Sequence, residues 1–469
     1  MCFSIKLKEG QIHMTNNTFR NSHLFTKNGK FFLFDGDSLR LFELDQKNYT
    51  VLQNAYETGQ LSEIDSELLC ELKEANLIID QNEYENEIIG IQNSGNTANI
   101  TNLTLCVSND CNLNCKYCFG DGGTYQNDRM LMTYETAKKC VDFLVSHSGN
   151  QKKLTIVFFG GEPLLNFDVM KKVTDYCHSI ENNSDKFFKF SISTNGTIIN
   201  DEVINFIKTN KIGITLSIDG PKEVNDRHRC YENGYGSYDR IRINVKKMLE
   251  ESVGPINARA TICKTEPDVS KIENGLRPLG FNSIHMTLVD THHESQLYMD
   301  DVAVQQAIEG YAKLAIDYIN DIKAGKTDRT KTFDDILYVL FNKKLKLRSC
   351  NLAVSSIAIN FKGDIYPCHR FMGDEDYIIG SLDNGLIEEQ IRQFRDVNVL
   401  NIEGCSNCWA RFLCAGSCAH SRVKHVNLNG AYDRFCTLNK SIYEIALYIY
   451  SELKAYNEDV FNLLFLNEN

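Results

Sequence analysis

The run Leu103-Thr104-Leu105-Cys106-Val107-Ser108-Asn109-Asp110-Cys111-Asn112-Leu113-Asn114-Cys115-Lys116-Tyr117-Cys118 is a short apolar strand followed at once by cysteines spaced C-x3-C-x2-C. Three thiolates on one loop can hold three irons of a [4Fe–4S] cube and leave the fourth iron open to a substrate. A zinc loop is the rival reading. Zinc wants a fourth ligand, and the twelve positions after Cys118 hold neither His nor Cys.

Outward from this loop the chain repeats strand and helix. Strand patterns at 103–107, 154–159, 188–193, 213–218, 258–263 and 284–289 alternate with helical ones such as 134–146 and 167–180. Such alternation predicts an α/β fold with a parallel sheet and right-handed crossovers, and six units suit a partial (β/α)6 TIM barrel over 98–325. Short polar turns end these strands: Gly160-Gly161-Glu162-Pro163 the second, Ser193-Thr194-Asn195-Gly196 the third, Ser217-Ile218-Asp219-Gly220 the fourth. Arg259 begins the fifth strand. Barrel enzymes place their active sites at these carboxyl ends.

From about 345 the chain is cysteine-rich and short on regular structure. Cys350 and Cys368 are followed by Cys405-x2-Cys408-x5-Cys414-x3-Cys418 and then Cys436. Two fully protein-ligated cubes need eight cysteines, and there are seven. His369, beside Cys368, either fills the remaining position or merely packs. A zinc ribbon is the alternative, although four-ligand zinc leaves three cysteines unexplained. Cys2, Cys70, Cys106, Cys140, Cys177, Cys230 and Cys263 are read mostly as small core residues, and Trp409 and Arg411 as shielding. A C-terminal helix is expected over 441–469.

Residues 1–93 have another texture. Apolar alternation at 24–25, 31–34 and 39–44, with turn signals at Asn28-Gly29 and Asp35-Gly36-Asp37, predicts short strands. Helices near 46–57 and 63–76 and a strand at 77–79 complete a winged-helix-like unit, and 92–97 reads as a linker. Residues 1–95 hold 8 Lys and Arg against 15 Asp and Glu, a net −7 that disfavours DNA.

The whole chain of 469 residues carries −12, which argues against nucleic acid as main partner. There is no run of about 18 apolar residues for a membrane span, and no secretory signal is expected from Met1 to Glu9. Seventeen cysteines, odd in number and clustered, then point to ligation in a reducing compartment. The expected location is the cytoplasm.

The C-x3-C-x2-C loop with Tyr117 before its last cysteine, and the turns at the strand ends, resemble the radical S-adenosylmethionine (SAM) superfamily. The resemblance implies that Cys111, Cys115 and Cys118 hold the SAM cluster. It implies SAM contacts from Tyr117, Gly160, Gly161, Glu162, Pro163, Ser193, Asn195, Ser217, Asp219 and Arg259, with Glu162 at the amino group and Arg259 at the carboxylate. The region 345–440 resembles the SPASM domain with two auxiliary clusters. By that pattern Cys405, Cys408, Cys414 and Cys436 complete one, and Cys350, Cys368 and Cys418 hold the other. The N-terminal unit resembles the recognition element that captures a precursor's leader peptide as an added strand.

Stretches 111–167 and 234–239 are similar to the thioether-forming peptide maturases, among them those of SCIFF, ranthipeptide and sactipeptide precursors. This implies three [4Fe–4S] clusters, SAM, a cysteine-containing precursor peptide, and an electron donor such as a flavodoxin or ferredoxin. Reduced SAM yields a 5′-deoxyadenosyl radical, which takes a hydrogen from a peptide carbon; a peptide thiolate bonds to that carbon, and an auxiliary cluster accepts the surplus electron. Epimerisation, carbon–carbon crosslinking and sulfatase-type maturation use similar scaffolds. No catalytic base is identified.

Overall fold

The computed structural model describes residues 17–58, 61, 64–93 and 99–465. Cys2, the Met1–Glu9 segment and positions 94–97 of the expected linker lie outside them.

The N-terminal unit opens with β1 (Asn17–Phe19), then an antiparallel sheet of β2 (Ser22–Lys27), β3 (Lys30–Asp35) and β4 (Arg40–Leu44). Asn28 and Gly29, both at positive φ (49° and 77°), make the β2–β3 turn, as the Asn-Gly pair predicts. Helices Gln46–Thr58 and Ser66–Glu74 follow, the second capped by Asp65, whose side chain accepts from the Leu68 amide. β5 (Ile78–Asp80) pairs with β1, and helix Gln81–Asn93 takes in the first two positions of the stretch read as linker.

β3 is apolar on both faces because it serves two cores. Leu33 packs with Leu52, Leu68 and Leu72, while Phe32 and Phe34 join the main core. The unit is also latched by an ion pair of Asp37 with Arg411 at 2.5 Å, 2% and 5% exposed. Asp37→Ala would strand a buried guanidinium and is expected to cost about 3–5 kcal/mol, read as a lower denaturant midpoint at unchanged slope.

The central sheet contains β6 (Asn102–Ser108), β7 (Lys153–Gly160), β8 (Phe187–Thr194), β9 (Gly213–Ser217), β10 (Ile256–Ile262) and β11 (Ser283–Leu288), paired in sequence and all parallel. These are the six strands the sequence predicts. Helices Tyr134–His147 and Phe167–Glu181 cross between them, burying Ala137, Cys140, Val141 and Leu144, and Val169, Met170, Val173 and Cys177, at helical spacing. One sheet face is apolar and buried. The other carries Thr155, Val157 and Phe159, Ser191 and Ser193, Thr215 and Ser217, and Arg259 and His285, and stays partly accessible.

The C-terminal region has more regular structure than expected. β12 (Ser356–Ile359) joins the sheet parallel to β6, and β13 (Asp364–Tyr366), β14 (Gly380–Ser381) and β15 (Gly385–Leu386) extend it. Strands of two to four residues leave too short a pattern to read from sequence. The helix expected over 441–469 runs instead as Asp433–Tyr456 and Val460–Phe465, so Cys436 sits in its first turn rather than in a loop. Among the described residues no helix is long and apolar enough to cross a membrane.

Candidate active site

The loop of Cys111, Cys115 and Cys118 leaves β6 at a bulge, where Cys106 pairs with Phe159 but Ser108 with Gly160. Gly160 has φ +140°, and a Cβ there would lie 2.1 Å from the Ser108 carbonyl oxygen. At Gly161 it would lie 2.3 Å from that of Asp110. The amides of Gly161 and Glu162 donate to those two carbonyls at 2.9 and 2.8 Å. The two glycines therefore let the strand end lie directly on the cysteine loop.

Glu162 is fully buried. Its Oε1 accepts from the Leu164 amide (3.1 Å) and Thr194 Oγ1 (2.9 Å), and its Oε2 from the Asn195 amide (2.7 Å). Burial pushes its pKa up to about 7 against these donors. The carboxylate ties β7 to β8 and keeps acceptor capacity for a further donor. Asn195 Nδ2 donates to Asn112 Oδ1 at 2.8 Å and lies 3.8 Å from Cys111 Sγ. Pro163 is buried at the start of the following turn, and Ser193 and Ser217 are half-buried on the accessible sheet face.

Tyr117 donates its hydroxyl to Asp219 and accepts from Arg229 Nη1 at 2.9 Å. The other Asp219 oxygen accepts from the Thr261 amide at 3.0 Å. Arg229 is 7% exposed, its Nε has no hydrogen-bond partner, and its charge faces Cys115. Sequence reasoning missed this guanidinium, because Arg227-His228-Arg229-Cys230 matches no spacing that marks a site. Arg259 stands in register between Ser217 and His285, with Arg370 and Cys418 as electrostatic neighbours. It lines a cleft of about 290 Å³ with His285, Lys331 and Lys346. Arg229 is thus a buried cation beside Cys115, and Arg259 has Cys418 of the C-terminal cysteines as a neighbour.

Those C-terminal cysteines fall into two groups. Cys405 and Cys436 both lie within the charge of Cys408 and Cys414, and burial followed by that repulsion pushes Cys405 to about 11 and Cys436 to about 12. Cys350, Cys368 and Cys418 form the second group, with Cys368 pushed chiefly by burial to about 12. Burial, then Glu162 and the two loop thiols, likewise raises Cys111 to about 12. None of the cysteines of the three groups is joined in a disulfide. Among the described residues, no three His, Cys, Asp or Glu side chains converge on one point.

His369 lies 3.7 Å from Cys368 Sγ and packs its ring 4.2 Å from that of Phe159. Burial, then the charges of Arg370 and Arg259, lowers its pKa to about 3, so the imidazole is neutral. Trp409 and Arg411 dock the N-terminal unit: the indole stacks on His23 at 4.1 Å and Arg411 meets Asp37. Of the remaining cysteines, Cys106, Cys140, Cys177 and Cys263 are buried, while Cys70 and Cys230 are half-buried.

Residues 105–268 match the radical SAM superfamily. This stretch is a radical SAM domain. A cysteine-type anaerobic sulfatase-maturating enzyme of Clostridium novyi is 27% identical over 356 residues, covering 72% of this chain and 92% of that protein. The radical SAM cyclopropyl synthase TigE of Paramaledivibacter caminithermalis is 25% identical over 432 residues, covering 82% and 87%. Among solved structures, anSMEcpe with bound AdoMet superposes with a TM-score of 0.64 at 19% identity, covering 76% of this chain and 99% of that one. Streptococcus suis SuiB bound to precursor peptide SuiA superposes at 0.52 and 15% identity, covering 90% and 100%. The chain therefore carries a radical SAM domain over residues 105–268 and is similar over most of its length to enzymes that carry one. A [4Fe–4S] cluster and SAM are the cofactors of this superfamily, and the three-thiol loop beside Glu162, Asn195 and Arg229 fits them.

Proposed function

We propose that this enzyme forms thioether crosslinks, from cysteine sulfur to carbon, in a ribosomally made precursor peptide. The observation that carries the reading is the unequal grouping of the C-terminal thiols, with Cys405, Cys408 and Cys436 near Cys414 and with Cys350 and Cys418 near Cys368. On this reading both groups hold auxiliary [4Fe–4S] clusters. Cys350, Cys368 and Cys418 would hold three corners of the second, which would leave a position where the peptide's own cysteine could bind as thiolate.

The first cluster and SAM, when bound, supply a carbon radical strong enough to take hydrogen from an unactivated carbon. The protein places that chemistry. Cys111, Cys115 and Cys118 hold the cluster, Glu162 receives an ammonium group, and Arg229 offers its unpartnered Nε to a carboxylate. His369, beside Cys368, packs on Phe159 and on Phe119, the residue after Cys118. The N-terminal unit, residues 1–93, binds the leader. A shallow, open depression there is lined by Arg20, Asp37, Arg40, Asn76 and Glu87, with Leu345 of the rest of the chain at its edge. An external electron donor such as a flavodoxin or ferredoxin supplies reducing equivalents.

Each crosslink replaces one C–H and one S–H bond by one C–S bond, so the peptide loses two hydrogens. Co-expression with a cysteine-containing precursor, followed by tandem mass spectrometry, tests this. The expected product carries that mass loss and resists reduction and alkylation at the linked cysteines. Formylglycine in place of a cysteine would replace this reading with sulfatase-type maturation, which similarity over 92% of the Clostridium novyi enzyme favours. An inverted or carbon-linked residue with every cysteine still alkylatable would also overturn it.

A further inference from the structure

Asp290 lies just beyond β11, at the carboxyl end of the sixth parallel strand, and is 5% exposed. Its carboxylate collects four donors from the C-terminal region. Oδ2 accepts from Arg370 Nη2 at 2.6 Å, Ser421 Oγ at 2.8 Å and His420 Nδ1 at 3.3 Å, and Oδ1 meets His425 Nε2 at 2.6 Å. Its backbone carbonyl accepts from Lys424 Nζ at 3.0 Å. Four donors on one buried carboxylate make a fixed anchor.

What the anchor fixes is Arg370. With Nη2 on Asp290, the fork directs Nη1 to Cys418 Sγ at 3.6 Å and Ser421 Oγ at 3.5 Å. The guanidinium also lies 5.4 Å from the centre of the Phe119 ring, and Phe119 directly follows Cys118. Its Nε is buried without a partner. One cation thus stands between the first cysteine loop and the three-thiol group, with a donor on a thiol of the latter. A lysine has one compact ammonium and cannot serve both contacts in this fixed geometry.

We infer that Arg370, positioned by Asp290, sets the reduction potential of the cluster on Cys350, Cys368 and Cys418. The inference rests on the proposed assignment of those cysteines to a cluster. Reduction adds negative charge, so a fixed cation donating to a ligand sulfur favours the reduced form and raises the potential. The carboxylate behind it acts in the opposite sense and tempers that effect. Arg370 is therefore a tuning residue and Asp290 a positioning one.

Potentiometric titration followed by electron paramagnetic resonance, on the anaerobic full-length protein with Cys111, Cys115 and Cys118 replaced by Ala, isolates the auxiliary clusters. Arg370→Gln is expected to move one auxiliary midpoint to more negative potential. The other midpoint stays unchanged, and Arg370→Lys restores part of the shift. Asp290→Asn, which keeps an acceptor but removes the counter-charge, is expected to move the same midpoint the opposite way. A merely structural role does not produce shifts of opposite sign. Unchanged midpoints at full iron content, shifts of the same sign, or loss of that cluster in both the Arg370→Gln and the Arg370→Lys variants, overturn the inference. Iron for only one auxiliary cluster in the protein with Arg370 and Asp290 intact overturns the cluster assignment instead, and with it the site being tuned.

Discussion

Replacing Cys111, Cys115 and Cys118 together by Ala abolishes SAM cleavage. The intact protein is expected to hold about twelve irons from three cubes and the variant about eight. Among the described residues no other thiol is placed to take over the missing ligands. Cys106 is buried in β6, and Cys230, the other cysteine whose charge reaches Cys115, is a single sulfur held on the Asp226 carbonyl at 3.0 Å. Anaerobically reconstituted protein with dithionite and SAM, assayed for 5′-deoxyadenosine by chromatography, reads the effect. Signal should fall to the enzyme-free background while the auxiliary iron remains. A variant that still yields 5′-deoxyadenosine would place the SAM cluster elsewhere.

Deleting residues 1–90 removes more than a peptide-binding module. Asn21 Nδ2 donates to the Cys408 carbonyl at 2.7 Å, and Gly36 lies so near the Trp409 carbonyl that a Cβ would stand 2.0 Å from its oxygen. His23 stacks on Trp409 and also meets Glu444, on the helix that supplies Cys436, at 2.8 Å. Asn21, His23 and Gly36, at the open end of the β2–β3 hairpin, therefore wall the segment that carries Cys408. Truncation opens that wall to water and strands Arg411, a loss of about 3–5 kcal/mol from the ion pair alone. The truncated chain is expected to lose about four irons, one cube's worth, as well as precursor affinity, yet to retain SAM cleavage. Full iron in the truncated protein would show that the N-terminal unit is not part of that site.

The sequence is most legible where chemistry or periodicity is local. The C-x3-C-x2-C loop, the six strands and the Asn28-Gly29 hairpin are each contained in a few consecutive residues. The polar alternation in Phe188-Lys189-Phe190-Ser191-Ile192-Ser193 and Ile256-Asn257-Ala258-Arg259-Ala260-Thr261 also announces an accessible sheet face, since strands buried on both sides read as unbroken apolar runs. Helix Asp433–Tyr456 begins earlier than the cysteine spacing suggests, because Phe435, Leu438, Ile442 and Ile445 hold the helical period through Cys436.

Local sequence therefore specifies the chemistry available: cysteines in countable clusters, an acidic chain, and strand ends carrying glycine, glutamate and asparagine. Thiol spacing and hydrophobic period act over a few residues, so they are written into consecutive positions. Which distant charges meet is settled by tertiary packing alone. It sets Arg229 against Tyr117 near Asp219, gathers four donors on Asp290, and presses Asp37 against Arg411, 374 positions away. Such pairings form because a buried charge must find a partner wherever the packed elements bring one, and sequence distance does not enter that requirement.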